Sequence, residues 1–172
     1  LIYYERRQNK FTQYRHNPSD PNSLSNDVIV SLCVDYEQKL WIGTYFGGLN
    51  YFDGKKFIRY RRNTADNSSI SDNSIWEILE DSEKNLWIGT LSAGLNLFNR
   101  AKNNFVHYRV EDGRSVHSNY IASLIEDDHQ QIWIGTSNGI DVLDKKANSF
   151  RYIGHDDNDS GSLSNNNVYN IL

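Results

Sequence analysis

An all-β fold is what this sequence predicts, on three observations. Leu40-Trp41-Ile42-Gly43-Thr44 returns as Leu86-Trp87-Ile88-Gly89-Thr90 and again as Ile132-Trp133-Ile134-Gly135-Thr136. The tryptophans are 46 residues apart both times. Around each core lie further short apolar or aromatic runs bounded by turn residues, in a chain that is 13% aromatic, half of that class being tyrosine. Such runs read as strands. A period of that size carried by strands predicts a β-propeller of four-stranded antiparallel blades, present as a partial ring of roughly four blades.

Counting outward from the tryptophan cores gives four recurring segments, A to D. Segment A is Ile29–Asp35, Ile75–Asp81, Ile121–Asp127 and, cut short, Val168–Leu172. Segment B holds the tryptophan. Segment C is Leu49–Phe52, Leu95–Phe98 and Ile140–Leu143, preceded by Leu1–Tyr4; segment D is Phe57–Tyr60, Phe105–Tyr108 and Phe150–Ile153, preceded by Phe11–Tyr14. Four copies each of A, C and D and three of B make fifteen expected strands. Residues 1-172 thus read as one propeller fragment. Residues 1-14 supply strands C and D of a first partial blade, 28-60, 75-108 and 121-153 are blades, and 168-172 opens a further one.

Each link has its own reason. Asp35, Asp81 and Asp127 end segment A, and an aspartate there accepts backbone N–H groups within the A–B turn. Asp53-Gly54 is the strongest hairpin dipeptide in the chain. Segment B lacks the alternation of a sheet with one wet face, so both its faces must be covered by neighbouring blades. Ser31, Glu77 and Ser123 share one place in segment A and are expected toward a narrow central channel. Gly48, Gly94 and Gly139 mark the B–C turn. The D–A connections are long and polar. Each holds one aliphatic residue (Leu24, Ile70, Val116, Leu163) expected to anchor the loop, with flanking Ser and Asn binding backbone groups.

Composition excludes several classes. Net charge is −4, with Lys and Arg scattered, so the segment shows no footprint for nucleic acid or an anionic membrane surface. Cys33 is the single cysteine, so neither a disulfide framework nor a cysteine metal cluster is expected. No signal peptide or apolar run of about 20 residues is present. His16, His107, His117, His129 and His155 show no metal-ligand spacing, and no nucleophile elbow or phosphate loop occurs. Asp156-Asp157-Asn158-Asp159-Ser160-Gly161 has a calcium-loop flavour, but Asn167 stands where the bidentate glutamate belongs. No catalytic residue, metal or cofactor is therefore expected.

Recurrence assigns Trp41, Trp87 and Trp133, with Gly43, Gly89 and Gly135, to the blade core rather than to ligand binding. Trp76 differs, since Val30 and Ala122 occupy its place elsewhere; it is either a core filler or a contact near the axis. A ligand is expected to touch positions that vary between repeats on the rim shared by the B–C and D–A connections. That rim carries Tyr45, Phe46, Leu91, Ser92, Ser137 and Asn138, with Asn26, Asp72, Asn73 and Asn119. Tyr and Phe beside Asn and Asp give the mixed apolar and polar lining of a small-molecule site.

Leu-Trp-Ile-Gly-Thr followed by Gly47-Gly48-Leu49-Asn50 or Ala93-Gly94-Leu95-Asn96 resembles the two-component regulator propeller repeat. The resemblance extends through the segment-D Phe and Tyr, the Leu-Ser-Asn loop and the Asp ending segment A. The third repeat departs at Thr136-Ser137-Asn138-Gly139, one residue shorter. The resemblance implies the sensor domain of a hybrid two-component histidine kinase of polysaccharide-degrading bacteria. There, two seven-bladed propellers and an immunoglobulin-like domain precede a membrane helix, with cytoplasmic kinase, receiver and DNA-binding parts beyond. It further implies an oligosaccharide ligand, a homodimeric parent and a position on the periplasmic face of the inner membrane, with no chemistry performed by this chain. A protein-interaction propeller is the alternative, and a propeller lyase or hydrolase with its site in other blades is a third.

Overall fold

The computed structural model describes residues 1–113 and 115–172. Short strands joined by tight turns pair with their sequence neighbours, so every sheet is an antiparallel meander. β1 (Ile2–Glu5) and β2 (Lys10–Gln13) form a two-stranded sheet. The first full blade is β3 (Ile29–Val34), β4 (Leu40–Thr44), β5 (Gly48–Phe52) and β6 (Phe57–Tyr60). The second is β7 (Ile75–Glu80), β8 (Leu86–Thr90), β9 (Leu95–Asn99) and β10 (Asn104–Tyr108). The third is β11 (Ile121–Glu126), β12 (Ile132–Thr136), β13 (Gly139–Asp144) and β14 (Ser149–Ile153). One turn of 3-10 helix, Val110–Asp112, is the only helical piece among the described residues, and no helix is long and apolar enough to cross a membrane.

The blades stack with β3, β7 and β11 side by side as the inner strands. The predicted all-β propeller architecture is therefore observed. Stacking explains the double-sided apolar character of segment B. Trp41 and Trp87 are 3% and 2% exposed, and Ile42 and Ile88 are fully buried. Trp133 is half-buried, since no further sheet lies over the third blade among the described residues. The glycine of the core motif has a steric cause. A Cβ on Gly43 would stand 2.8 Å from Ile75 Cγ2, and one on Gly89 2.6 Å from Ile121 Cγ2. Glycine there lets the next blade's inner strand press directly onto the sheet.

Each indole of the three cores donates its Nε1–H to the aspartate that ends segment A. The distances are 2.9 Å for Trp41 to Asp35, 2.9 Å for Trp87 to Asp81 and 2.8 Å for Trp133 to Asp127. The other carboxylate oxygen accepts two backbone N–H groups of the A–B turn, as from Glu37 and Lys39 to Asp35. One residue type thus closes the hairpin and satisfies a buried donor. Under the D–A loops, Leu24, Ile70 and Val116 are 0%, 1% and 3% exposed, which fits the expected anchors, while Leu163 is half-buried.

Two features differ from expectation. Fourteen strands form, and the fifteenth, over Val168–Leu172, does not. Val168 N–H reaches the Thr136 carbonyl at 2.9 Å and Ile171 N–H the Ser123 hydroxyl at 3.2 Å. The segment thus packs on the third blade, but without a B segment beside it no ladder can form. In addition, each inner strand carries a register shift, between Ile29 and Ser31, Ile75 and Glu77, and Ile121 and Ser123. Val30, Trp76 and Ala122 are the extra residues of these bulges, and a bulge re-aims its side chain.

Candidate ligand-binding rim

Strand alternation brings the B–C turns and the D–A loops to one rim, and a repeated bond locks them together. The N–H groups of Gly48, Gly94 and Gly139 donate to the carbonyls of Asn73, Asn119 and Asn166 at 2.7, 2.9 and 2.6 Å. The same asparagine side chains accept from Arg62, Val110 and His155 N–H at 2.9, 3.1 and 2.7 Å. Asn73 and Asn119 therefore hold the rim together. Asn26 and Asp72 are similarly engaged. Asn26 Oδ1 accepts from Val28 N–H at 2.8 Å; Asp72 accepts from Ser74 N–H at 3.1 Å and from the Ser92 hydroxyl at 2.8 Å.

The apolar candidates are presented differently. Phe46 is 64% exposed and sits at φ +61°, a conformation strained for a bulky residue. Its backbone N–H donates to the Ser74 hydroxyl at 3.3 Å, and its ring centroid lies 4.0 Å from that of the half-buried Tyr45. Leu91 is half-buried, with its N–H on the Ser74 carbonyl at 3.0 Å. Trp76 is half-buried and meets Tyr120 edge-on at 5.8 Å. Burial pushes the Tyr120 phenol up, and the nearby Tyr169 adds to the effect. On the third blade Ser137 and Asn138 are exposed; Ser137 bonds the Ser118 hydroxyl at 2.9 Å and Asn138 donates to the His117 carbonyl at 3.2 Å. The rim thus gathers an exposed Phe46 beside a half-buried Tyr45 at its first blade and solvent-exposed polar side chains at its third.

The inner strands carry the expected polar positions. Glu77 is half-buried with no cation bonded to it among the described residues, and burial raises its carboxyl despite the bond from Ile78 N–H. Ser123 bonds Asn170 at 3.3 Å, whereas the Ser31 hydroxyl has no partner among the described residues.

The opposite rim holds a network that residue types alone did not reveal. Arg100, in the C–D link of the second blade, reaches Asp35 of the first at 3.0 Å and Glu80 at 2.6 Å. Lys145, its counterpart in the third blade, reaches Asp81 at 2.9 Å and Glu126 at 2.7 Å. Glu80 and Glu126 also accept the N–H groups of Tyr36 and Ser82 in the preceding blade, at 2.7 and 2.6 Å. Burial by itself would raise the Asp81 carboxyl. The bonds from Trp87, Asn85 and Lys145 outweigh it and hold Asp81 below the usual carboxylate range. Burial likewise opposes the Lys145 charge, but Glu126, Asp81 and Glu83 hold that ammonium protonated above its ordinary range. The signal was present as basic residues at the same offset from segment C, but scattered charge gives no hint of which acid each one meets. No group of three His, Cys, Asp or Glu placed to hold a metal occurs among the described residues.

Four-stranded blades stacked on their inner strands, tied by ion pairs at one rim and by asparagine-held loops at the other, define a repeat-built β-propeller. In comparison with known proteins, three stretches of the chain, residues 23–46, 69–92 and 115–138, match the two-component regulator propeller repeat. Among solved structures it is similar to the extracellular domain of BT4673 from B. thetaiotaomicron, assigned to a hybrid two-component system. The match has 25% identity and a TM-score of 0.78, over 100% of this chain and 22% of that one. A second structure of that domain, assigned there to a one-component system, matches at 25% identity and a TM-score of 0.77, covering 99% and 22%. PorZ, a surface component of the type-IX secretion system of Porphyromonas gingivalis, shares the fold at 13% identity, a TM-score of 0.66 and coverage of 96% and 25%. The chain thus spans a quarter or less of the length of each of these solved relatives. No curated protein matches it.

Proposed function

We propose that this chain is part of the extracytoplasmic ligand-sensing propeller of a hybrid two-component sensor histidine kinase. In this reading the parent sits at the periplasmic face of the inner membrane as a homodimer. It detects an oligosaccharide and signals by phosphorelay to control carbohydrate-utilisation genes; the propeller performs no chemistry. The observation that carries the reading is likeness over the whole chain, at a TM-score of 0.78, to an extracellular domain assigned to a hybrid two-component system. The exposed Phe46, its ring tilted against that of Tyr45 and its backbone held in a strained conformation, supports ligand contact on the rim, because strain of this kind gathers where function requires it. Signal transfer requires that the bound sugar favour one arrangement of the dimer over another.

Phe46→Gly separates binding from folding. Glycine adopts φ +61° freely, so thermal stability should be unchanged or raised, while an aromatic face worth about 0.5–1.5 kcal/mol is lost. Calorimetry with neutral oligosaccharides should show affinity falling by roughly 2- to 10-fold, the equivalent of that energy. Absence of binding by any oligosaccharide, or equal affinity for the variant, would remove the sugar-sensing part of the reading.

A further inference from the structure

The third blade changes a buried pair that the first two share. Asn50 is fully buried; it accepts Ser25 N–H at 2.9 Å and donates to the Ser25 hydroxyl at 2.7 Å. Asn96 repeats this with Ser71 at 3.0 and 2.8 Å. At the aligned positions of the third blade stand Asp141 and His117. Both members change together, and the chemistry links them. An ionised carboxylate cannot supply the amide N–H that asparagine gives, so the residue opposite must be a donor. The His117 backbone N–H donates to Asp141 Oδ2 at 2.8 Å, and its Nδ1 donates to Oδ1 at 2.6 Å. The Asp141 side chain is wholly buried, while that of His117 is 47% exposed and open to proton exchange with solvent.

The way the loop is tied also changes. In the first two blades the third residue of segment D holds the loop: Arg59 bonds the Ser23 carbonyl at 2.9 Å and His107 the Ser69 carbonyl at 2.8 Å. Its counterpart in the third blade, Tyr152, instead lies against the His117 ring at 4.5 Å. His117 has become the fastening point. Its carbonyl in turn accepts the Asn138 amide of the B–C turn at 3.2 Å.

We infer that His117 and Asp141 form a protonation-sensitive clamp, which tightens the loop around Val116–Asn119 onto the third blade when His117 takes up a proton and slackens when the proton leaves. A carboxylate buried without a positive partner is costly, and an imidazolium against it offsets that cost. Burial pushes the Asp141 carboxyl above its usual range, against the pull of the two His117 bonds. A carboxyl raised in this way contributes stability at low pH that is lost as pH rises through its folded pKa. Among the described residues, three acids of this loop and blade are engaged elsewhere. Glu111 accepts from Asn119, Asp112 from Arg109 N–H, and Asp144 caps its own turn through Lys146 and Ala147. Through Asn138 the clamp gives this sector of the rim a pH dependence that the Ser–Asn pairs of the other blades lack. The inference rests on blade geometry and is independent of the nature of any ligand.

The test is an NMR titration of the chain between about pH 5.5 and 8.5, above the ordinary range of carboxylates. The His117 ring, the Asn138 side-chain amide and the Ser118 and Asn119 amides should shift with one common midpoint. In the double variant His117→Ser/Asp141→Asn, which reinstates the pair of the other blades, the Asn138 and Asn119 shifts should lose that dependence while the fold persists. Asn138 and Asn119 signals that stay still through the wild-type His117 titration would overturn the inference. So would a folded double variant that keeps their pH dependence. The wild-type titration decides the matter even if the double variant does not fold.

Discussion

Replacing Asp81 by alanine removes five hydrogen bonds at one stroke. Its carboxylate accepts Glu83 and Asn85 N–H at 3.0 and 2.9 Å, and Trp87 Nε1, Asn85 Nδ2 and Lys145 Nζ at 2.9, 3.0 and 2.9 Å. The Asp81 side chain is 0% exposed and that of Lys145 9%. Breaking a buried ion pair by deleting one partner costs about 3–5 kcal/mol. Lys145 keeps Glu126 at 2.7 Å and Glu83 at 3.1 Å, which places the ionic part near the lower end. The orphaned indole N–H of Trp87 adds roughly 1 kcal/mol. The expected loss is about 4 kcal/mol, a large share of the ~5–15 kcal/mol that holds a typical domain. With an m-value of about 2 kcal/mol/M, the urea midpoint should fall by about 2 M. Unfolding should be followed by both tryptophan fluorescence and circular dichroism, because stacked repeats can lose cooperativity. Asp127→Ala is the matched control. Asp127 accepts from Trp133, Gln131 and His129, but no cation reaches it among the described residues, so its loss should be clearly smaller. Equal midpoint losses in the two variants would refute the inter-blade latch. Because Asp81 is held below the usual carboxylate range, its contribution is present above that range and is lost as pH falls through the lowered pKa. The difference between wild type and Asp81→Ala should therefore shrink only in strongly acid solution.

Two further outcomes follow from the same geometry. Glu77 is raised by burial without a bonded cation among the described residues, so it weakens the fold once ionised. Glu77→Gln should raise the thermal midpoint at pH 7 and leave it unchanged near pH 4, which calorimetry at the two pH values can check. Gly94 has φ +79°, and a Cβ there would stand 2.3 Å from the Tyr108 carbonyl oxygen, whereas Gly54, at φ +91°, has open space around it. Gly54→Ala should cost about 1–2 kcal/mol for the left-handed backbone, and Gly94→Ala clearly more because main chain must move. Similar denaturation midpoints for the two would contradict that reading.

The sequence by itself determined the fold class, the blade period, the hairpin order and the buried tryptophans. All of these rest on local chemistry repeated at a fixed interval: an apolar run, a turn aspartate, a glycine. It also determined that the B–C and D–A connections share a rim, since strand alternation leaves no other arrangement. Tertiary structure alone decided the rest. Arg100 and Asp35, or Lys145 and Asp81, are about one and a half repeats apart in sequence and meet only because the blades stack. Trp76 stood out in the sequence because Val30 and Ala122 take its place in the other repeats, but only the folded chain shows the register shift beside it and its side chain meeting Tyr120. The rim asparagines read as free hydrogen-bonding groups until their oxygens were seen holding neighbouring loops. His117 and Asp141 were each unremarkable alone; alignment of three superposed blades makes them a pair. Local patterns fix what each strand is. Which side chains share a proton or a charge depends on contacts between blades, and these carry no mark in the chain until it has folded.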